Sequence, residues 1–155
     1  MLRPLDARFC VMRTLAGEVV VPVPSDEGVA VEPSRIPGAG CGLFARRMYA
    51  PGELVTVYRG TVLRTLQALR LVDKTYLMRL GPQCYIDARE HTSVRARYIN
   101  DSCDATRHNV QFHKRAEEYC ALVLATRYIE VGDELYVDYG KWYWAGSRGN
   151  SPPPL

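Results

Sequence analysis

What most constrains this chain is a recurring pattern of short runs rich in Val, Tyr, Ile and Phe, each closed by Gly, Pro or Asp. Such runs are too short for packed helices, and β-branched and aromatic residues suit a pleated, half-buried surface. The pattern predicts strands at EVVVPV (18–23), GVAVEP (28–33), LVTVYRG (54–60), QCYIDA (83–88), NVQFH (109–113), YCALVLATRYI (119–129) and DELYVDY (133–139). The short turns between them favour antiparallel pairing. Helix composition is confined to VLRTLQALRLVDKTYL (62–77), where Leu63, Leu66, Leu69 and Leu71 form an apolar stripe. A mainly β fold of small sheets with one short inserted helix is the expectation.

A chain of 155 residues, 47% of them apolar, can bury one real core, whereas two separate domains would each be marginal. The expected division is an N-terminal extension packing on the domain (1–27), the domain itself (28–144) and a flexible Gly, Ser and Pro tail (145–155). Twenty Lys and Arg against 17 Asp and Glu leave a net charge of +3, too weak to argue for direct, sequence-specific nucleic-acid binding. Nothing reads as a membrane span, and the charged N-terminus is a poor secretory signal, so nucleus or cytoplasm is the expected compartment. Five scattered cysteines without a CxxC argue for reduced thiols rather than a disulfide framework.

Three segments carry candidate chemistry. In SRIPGAGCGLFARR (34–47), alternating Gly38, Gly40 and Gly42 let the backbone turn sharply and present amide groups to a ligand, or simply close a hairpin. In RYINDSCDATRHNVQF (97–112), Cys103 and His108, with His113 and Cys120 beyond, have ligand-like spacing for zinc. A strand from Asn109 would turn the histidines away from one centre, and no residue orients His108 as a base for Cys103, so no metal is expected. In VGDELYVDYGKWYW (131–144), Tyr139 ends a strand beside Gly140, a position that can set a hydroxyl at a pocket mouth. Trp142, Tyr143 and Trp144 are core, lid or ligand wall.

Taken in order, these segments resemble the SET-domain protein lysine methyltransferases. Gly40-Cys41-Gly42-Leu43-Phe44-Ala45 is similar to the family's glycine loop, and Tyr58-Arg59-Gly60 to its Y-x-G strand. Arg97-Tyr98-Ile99-Asn100, Ser102-Cys103 and Asn109 resemble the central R-F/Y-x-N, Ser-Cys and later Asn; Gly132-Asp133-Glu134-Leu135 and Asp138-Tyr139-Gly140 resemble the closing G-E-E-L and D-Y-G. Asp101 stands where the family has His, the loop to Asn109 is longer and lacks its Pro, and the zinc-binding cysteine-rich flanks are missing.

The resemblance implies a SET fold in which the Asn100 loop and the Tyr139 segment cross in a pseudoknot, S-adenosylmethionine on one side, and a lysine channel on the other. It implies that Tyr139 and, more weakly, Tyr76 are catalytic. Gly40, Cys41, Gly42, Asn100, Asp101, Tyr139 and Trp144 would contact the cofactor; Phe112, Val137 and Tyr58 would line the channel; Arg97 and Asn109 would brace the loop. The channel positions Phe112 and Val137 carry no hydroxyl, which implies room for di- or trimethylation. The implied substrate is a protein, most often a histone tail, for which Asp87, Glu90, Asp101 and Asp104 could form an acidic entrance. A non-histone target, a homodimer, and an inactive SET-like interaction module are the alternatives.

Overall fold

The structure, a computed structural model, describes residues 9–14, 17–22 and 26–146. The strands form four small antiparallel sheets. Strands β1 (Phe9–Thr14) and β2 (Gly17–Pro22) form a hairpin, and β3 (Val29–Pro33) pairs with β4 (Cys41–Ala45) across the glycine loop. Strand β5 (Leu54–Tyr58) leads through β6 (Thr61–Leu63) into helix α1 (Thr65–Arg70), then β7 (Leu77–Gly81) and β8 (Cys84–Asp87). Strands β9 (Val110–Arg115) and β10 (Cys120–Ala125) follow, and helix α2 (Lys141–Gly146) ends the described chain. The three-stranded sheets run β5-β10-β9 and β6-β8-β7, so β9 and β7 are edge strands. These two sheets and the β3-β4 pair contribute to one core.

Burial follows residue type. Central β10 (CALVLA) buries Cys120, Ala121, Val123 and Ala125, whereas edge strand β9 buries Val110 and leaves most of its other side chains to solvent. Leu43, Ile86, Ile99, Val123, Ile129 and Leu135 from different elements are each at most 1% exposed. Burying an aliphatic side chain of this size contributes about 1.5–3 kcal/mol, so these contacts join the sheets into one body.

Two expectations need correction. The helix is six residues long, not sixteen, because Val62 and Leu63 pair with Ile86 and Tyr85 in β6, while Leu77 and Met78 pair with Asp87 and Ile86 in β7. A turn stops it: Asp73 Oδ1 accepts from the Thr75 amide at 2.9 Å and hydroxyl at 2.6 Å, a local bond that competes with helix. The apolar stripe does not reach the core either, since Leu66 and Leu69 are 69% and 63% exposed and Ala68 is the buried residue of α1.

The 133–139 segment is extended but is not a regular strand. Leu135 N donates to Leu43 O at 2.8 Å on one side, and Val137 N donates to Asn100 O at 3.0 Å on the other. Its bridges are antiparallel to β4 at Phe44–Glu134 and parallel to the central loop at Asn100–Tyr136. Further along, Asn109 N returns to Tyr136 O at 3.0 Å, so the 100–109 loop passes around the closing segment. This threading is the pseudoknot of the SET fold. No helix among the described residues is long and apolar enough to cross a membrane. The tail from residue 147 lies outside the described residues.

Candidate active site

The crossing places one wall of a cavity of about 1530 Å³. The glycine loop, the Arg97–Asp101 run, edge strands β7 and β9, and the 137–144 segment enclose it. Gly40, Cys41, Asn100, Asp101, Tyr139 and Trp144 line it, as do Tyr58, Tyr76, Phe112, Val137 and Arg97. Residues from both ends of the sequence are thus brought to one space.

Gly38 and Gly40 have φ of +78° and +74°, a left-handed backbone in which side chains are strained, and open space lies where their Cβ atoms would be. Asn100 holds this loop in place: its Nδ2 donates to Cys41 O at 2.9 Å and to Ser34 Oγ at 3.3 Å. Gly42 does not line the cavity. It is buried against Glu134, whose Oε1 would lie 2.2 Å from an added Cβ, so close packing explains the glycine there.

Asp101 is 6% exposed and fully engaged. Its Oδ1 accepts from Cys103 N at 2.7 Å and sits 3.0 Å from His108 Nε2; its Oδ2 accepts from Tyr139 N at 3.1 Å and Trp144 Nε1 at 3.0 Å. Burial pushes its pKa up, but these bonds, led by the Cys103 and Tyr139 amides, outweigh that and hold the carboxyl below its usual range. The carboxylate thereby docks α2 over the cavity.

Tyr139 donates its hydroxyl to Ile99 O at 2.6 Å, with its ring centroid 4.5 Å from Tyr143 and 6.2 Å from Trp144. Burial, then the neighbouring tyrosines Tyr143 and Tyr58, drive its pKa far above the ordinary phenol value, so it stays protonated. Tyr58 donates to Tyr76 O at 2.8 Å and meets the Phe112 ring edge-on at 5.7 Å. Val137 is 2% exposed beside them. Among the described residues this corner holds aromatic and aliphatic surface, with the Tyr58 hydroxyl already committed.

Arg97 stacks over the Tyr76 ring at 4.1 Å and faces Tyr98 at 5.2 Å. Its buried Nε and Nη1 have no hydrogen-bond partner among the described residues. Its contacts within the loop region are thus the stacking on Tyr76 and Tyr98. Asn109 lies behind the cavity, donating from Nδ2 to Glu134 O and accepting from Tyr136 N, each at 2.9 Å.

Sequence reasoning gave Glu134 no role beyond its motif, weighed His108 only as a metal ligand or base, and left Tyr143 open between core, lid and ligand wall. Buried Glu134 accepts from Ser34 Oγ at 2.6 Å, Arg35 N at 2.7 Å and Tyr136 OH at 2.7 Å, tying the glycine-loop entrance to the closing segment. Burial and the Glu134 bond push the Tyr136 phenol up to about 12. Only an acidic residue in an otherwise apolar strand could have signalled this. No group of three or more His, Cys, Asp or Glu among the described residues could hold a metal. Of the acids proposed for an entrance, Asp101 lines the cavity, whereas Asp87, Glu90 and Asp104 do not.

The SET domain family model matches residues 40–140, about two-thirds of the chain. The chain belongs to the SET domain family. Within that family it is 32% identical over 126 residues to "Histone-lysine N-methyltransferase 2B" of Homo sapiens, covering 74% of this chain and 4% of that protein. It is 31% identical over 127 residues to "N-lysine methyltransferase KMT5A" of Xenopus tropicalis, covering 74% of this chain and 37% of that one. A 108-residue stretch is 30% identical to "Histone-lysine N-methyltransferase Set2" of Drosophila melanogaster, covering 64% of this chain and 5% of that protein. The chain thus spans little more than a third, or far less, of these relatives' lengths.

Proposed function

We propose that this SET domain is a protein-lysine N-methyltransferase using S-adenosylmethionine. The observation that carries the reading is the single cavity joining the glycine loop, the Asn100–Asp101 crossing and Tyr139 to the Tyr58–Phe112 corner. The residues fit the cofactor's groups. Orphaned buried N–H groups of Arg97 match a carboxylate, since an unsatisfied buried donor costs about 1–3 kcal/mol. The open backbone at Gly38 and Gly40 and the Asn100 loop match a polar nucleoside, and the Tyr139, Tyr143 and Trp144 rings match a sulfonium cation. When bound, S-adenosylmethionine supplies a methyl group already activated on positively charged sulfur.

The chain must then hold a neutral lysine amine in line and keep water out. A free lysine amine has a pKa near ~10.4, and the apolar corner of Tyr58, Phe112 and Val137 penalises its ammonium form. Tyr139 is the catalytic residue of this reading. Its proton is spent on Ile99 O, leaving the hydroxyl oxygen free to accept an N–H of the amine and fix its direction. Tyr76 is the second pocket tyrosine, under Arg97. Gly40, Cys41, Asn100, Asp101 and Trp144 form the cofactor wall, with Gly42 supporting it from behind.

The proposed target is a lysine of a histone in the nucleus, a reading supported by the names of two relatives; a non-histone protein in the cytoplasm is the competing target. Residues 28–144 are proposed as the catalytic unit, with 1–27 as an extension. Labelled S-adenosylmethionine incubated with histones and other proteins, followed by mass spectrometry of the acceptor, tests the activity. Tyr139→Phe should bind the cofactor yet lose at least about tenfold in turnover. No transfer to any protein, with no cofactor binding, refutes the proposal. The hydroxyl-free Phe112 and Val137 support di- or trimethyl products, and a reaction that stops at monomethyllysine with excess enzyme refutes that part.

A further inference from the structure

The charge around the cavity does not suit a basic peptide. Its lining carboxylates are those of Asp101 and Asp138, against the cations of Arg79, Arg97 and Lys114. Asp101 is buried and both its oxygens are occupied, and Asp138 Oδ1 accepts from Gly140 N at 2.7 Å. Arg79 and Lys114 are exposed and come from the edge strands β7 and β9, which flank the cavity.

Along β9, side chains alternate between faces, so Lys114 shares a face with Val110 and Phe112, and all three line the cavity. Lys114 therefore stands on the same strand face as the channel residue Phe112. Strands β7 and β9 contact each other, so Arg79 and Lys114 stand on adjoining edges of the one cavity. Desolvation, and then the charge of Arg79, hold the Lys114 amine below the usual lysine range. The only hydrogen bond of the Arg79 side chain among the described residues runs from Nε to Gly81 O at 3.3 Å. Neither cation has a carboxylate within ion-pair distance among the described residues.

Resting on the methyltransferase reading above, we propose that Arg79 and Lys114 select a substrate segment carrying an acidic side chain close to the target lysine. Two neighbouring cations at the edge of a low-dielectric cavity repel each other, and a carboxylate placed between them relieves that repulsion. A Lys or Arg at the same peptide position meets two like charges and is rejected, so the pair works by exclusion as well as attraction. The selected class is an acid-flanked lysine, in a histone or in any other protein, rather than a uniformly basic tail.

The test is a set of synthetic peptides around one lysine, identical except for Glu, Ala or Lys at successive positions on either side, compared by kcat/KM. At one or more positions Glu should be turned over about fivefold better than Ala, and Lys correspondingly worse. Added salt should shrink the difference. The double variant Arg79→Glu, Lys114→Glu should invert the order, and Arg79→Gln, Lys114→Gln should abolish it. Both side chains are exposed, so an unchanged melting temperature confirms that each variant is folded. Equal transfer to Glu and Lys peptides at every position, or a preference that survives in the Gln variant, overturns the proposal while leaving the methyltransferase reading intact. Absence of transfer to every peptide and protein, with S-adenosylmethionine unbound in calorimetry, overturns both.

Discussion

Asp101 is where this chain departs from its family's motif, and its carboxylate gathers donors from three separate segments: Cys103 N, His108 Nε2, Tyr139 N and Trp144 Nε1. Asp101→Ala strands the two amides and the indole inside the protein, and should cost about 2–3 kcal/mol in chemical denaturation. Because its folded pKa is depressed below the unfolded value near ~3.9, its contribution is complete above that pH and is lost as pH falls through the folded pKa. Denaturation midpoints measured against pH should show this acid loss in the wild type and a flatter profile in Asp101→Asn. Gly42 makes a steric argument at the same scale. An alanine methyl there lies 2.2 Å from Glu134 Oε1 and 2.9 Å from its Cδ, and Glu134 cannot swing away because three donors hold it. Gly42→Ala should therefore lose about 1–3 kcal/mol, read from thermal melting, through overpacking in a buried site.

Among the elements, α1 separates pattern from packing. Its leucines recur at helical spacing, yet the helix lasts six residues and turns Leu66 and Leu69 outward. The double change Leu66→Ser, Leu69→Ser should shift stability by no more than about 0.5 kcal/mol in urea denaturation, because surface positions lose little contact. Periodicity could not separate the two outcomes, since the flanking Val62, Leu63, Leu77 and Met78 satisfy a helical stripe equally well before their pairing with β8 is known. Strands rich in Val with clear turn residues, such as β5 and β10, were readable because local propensity and tertiary pairing agree there. The three-residue β6 and Met- and Arg-bearing β7 have no such local signal.

For the molecule as a whole, the closing segment and the loop around it decide whether a site exists. Asn109 ties them, donating to Glu134 O and accepting from Tyr136 N across more than twenty residues of chain. Asn109→Ala leaves both groups unpaired in the interior and should cost about 2–3 kcal/mol. Unfolding followed by circular dichroism and by tryptophan fluorescence should stay coincident, as one shared core demands. The sequence by itself determined the β character, the tight turns and the order of motifs that marks a SET domain, because these depend on neighbouring residues. Only the tertiary structure decided that Asp101 docks Trp144, that Gly42 yields to Glu134, that Arg97 keeps buried donors unpaired among the described residues, and that Arg79 and Lys114 edge the cavity. Those outcomes rest on groups tens of residues apart, whose distance, burial and hydrogen bonding are set only when the closing segment threads the loop.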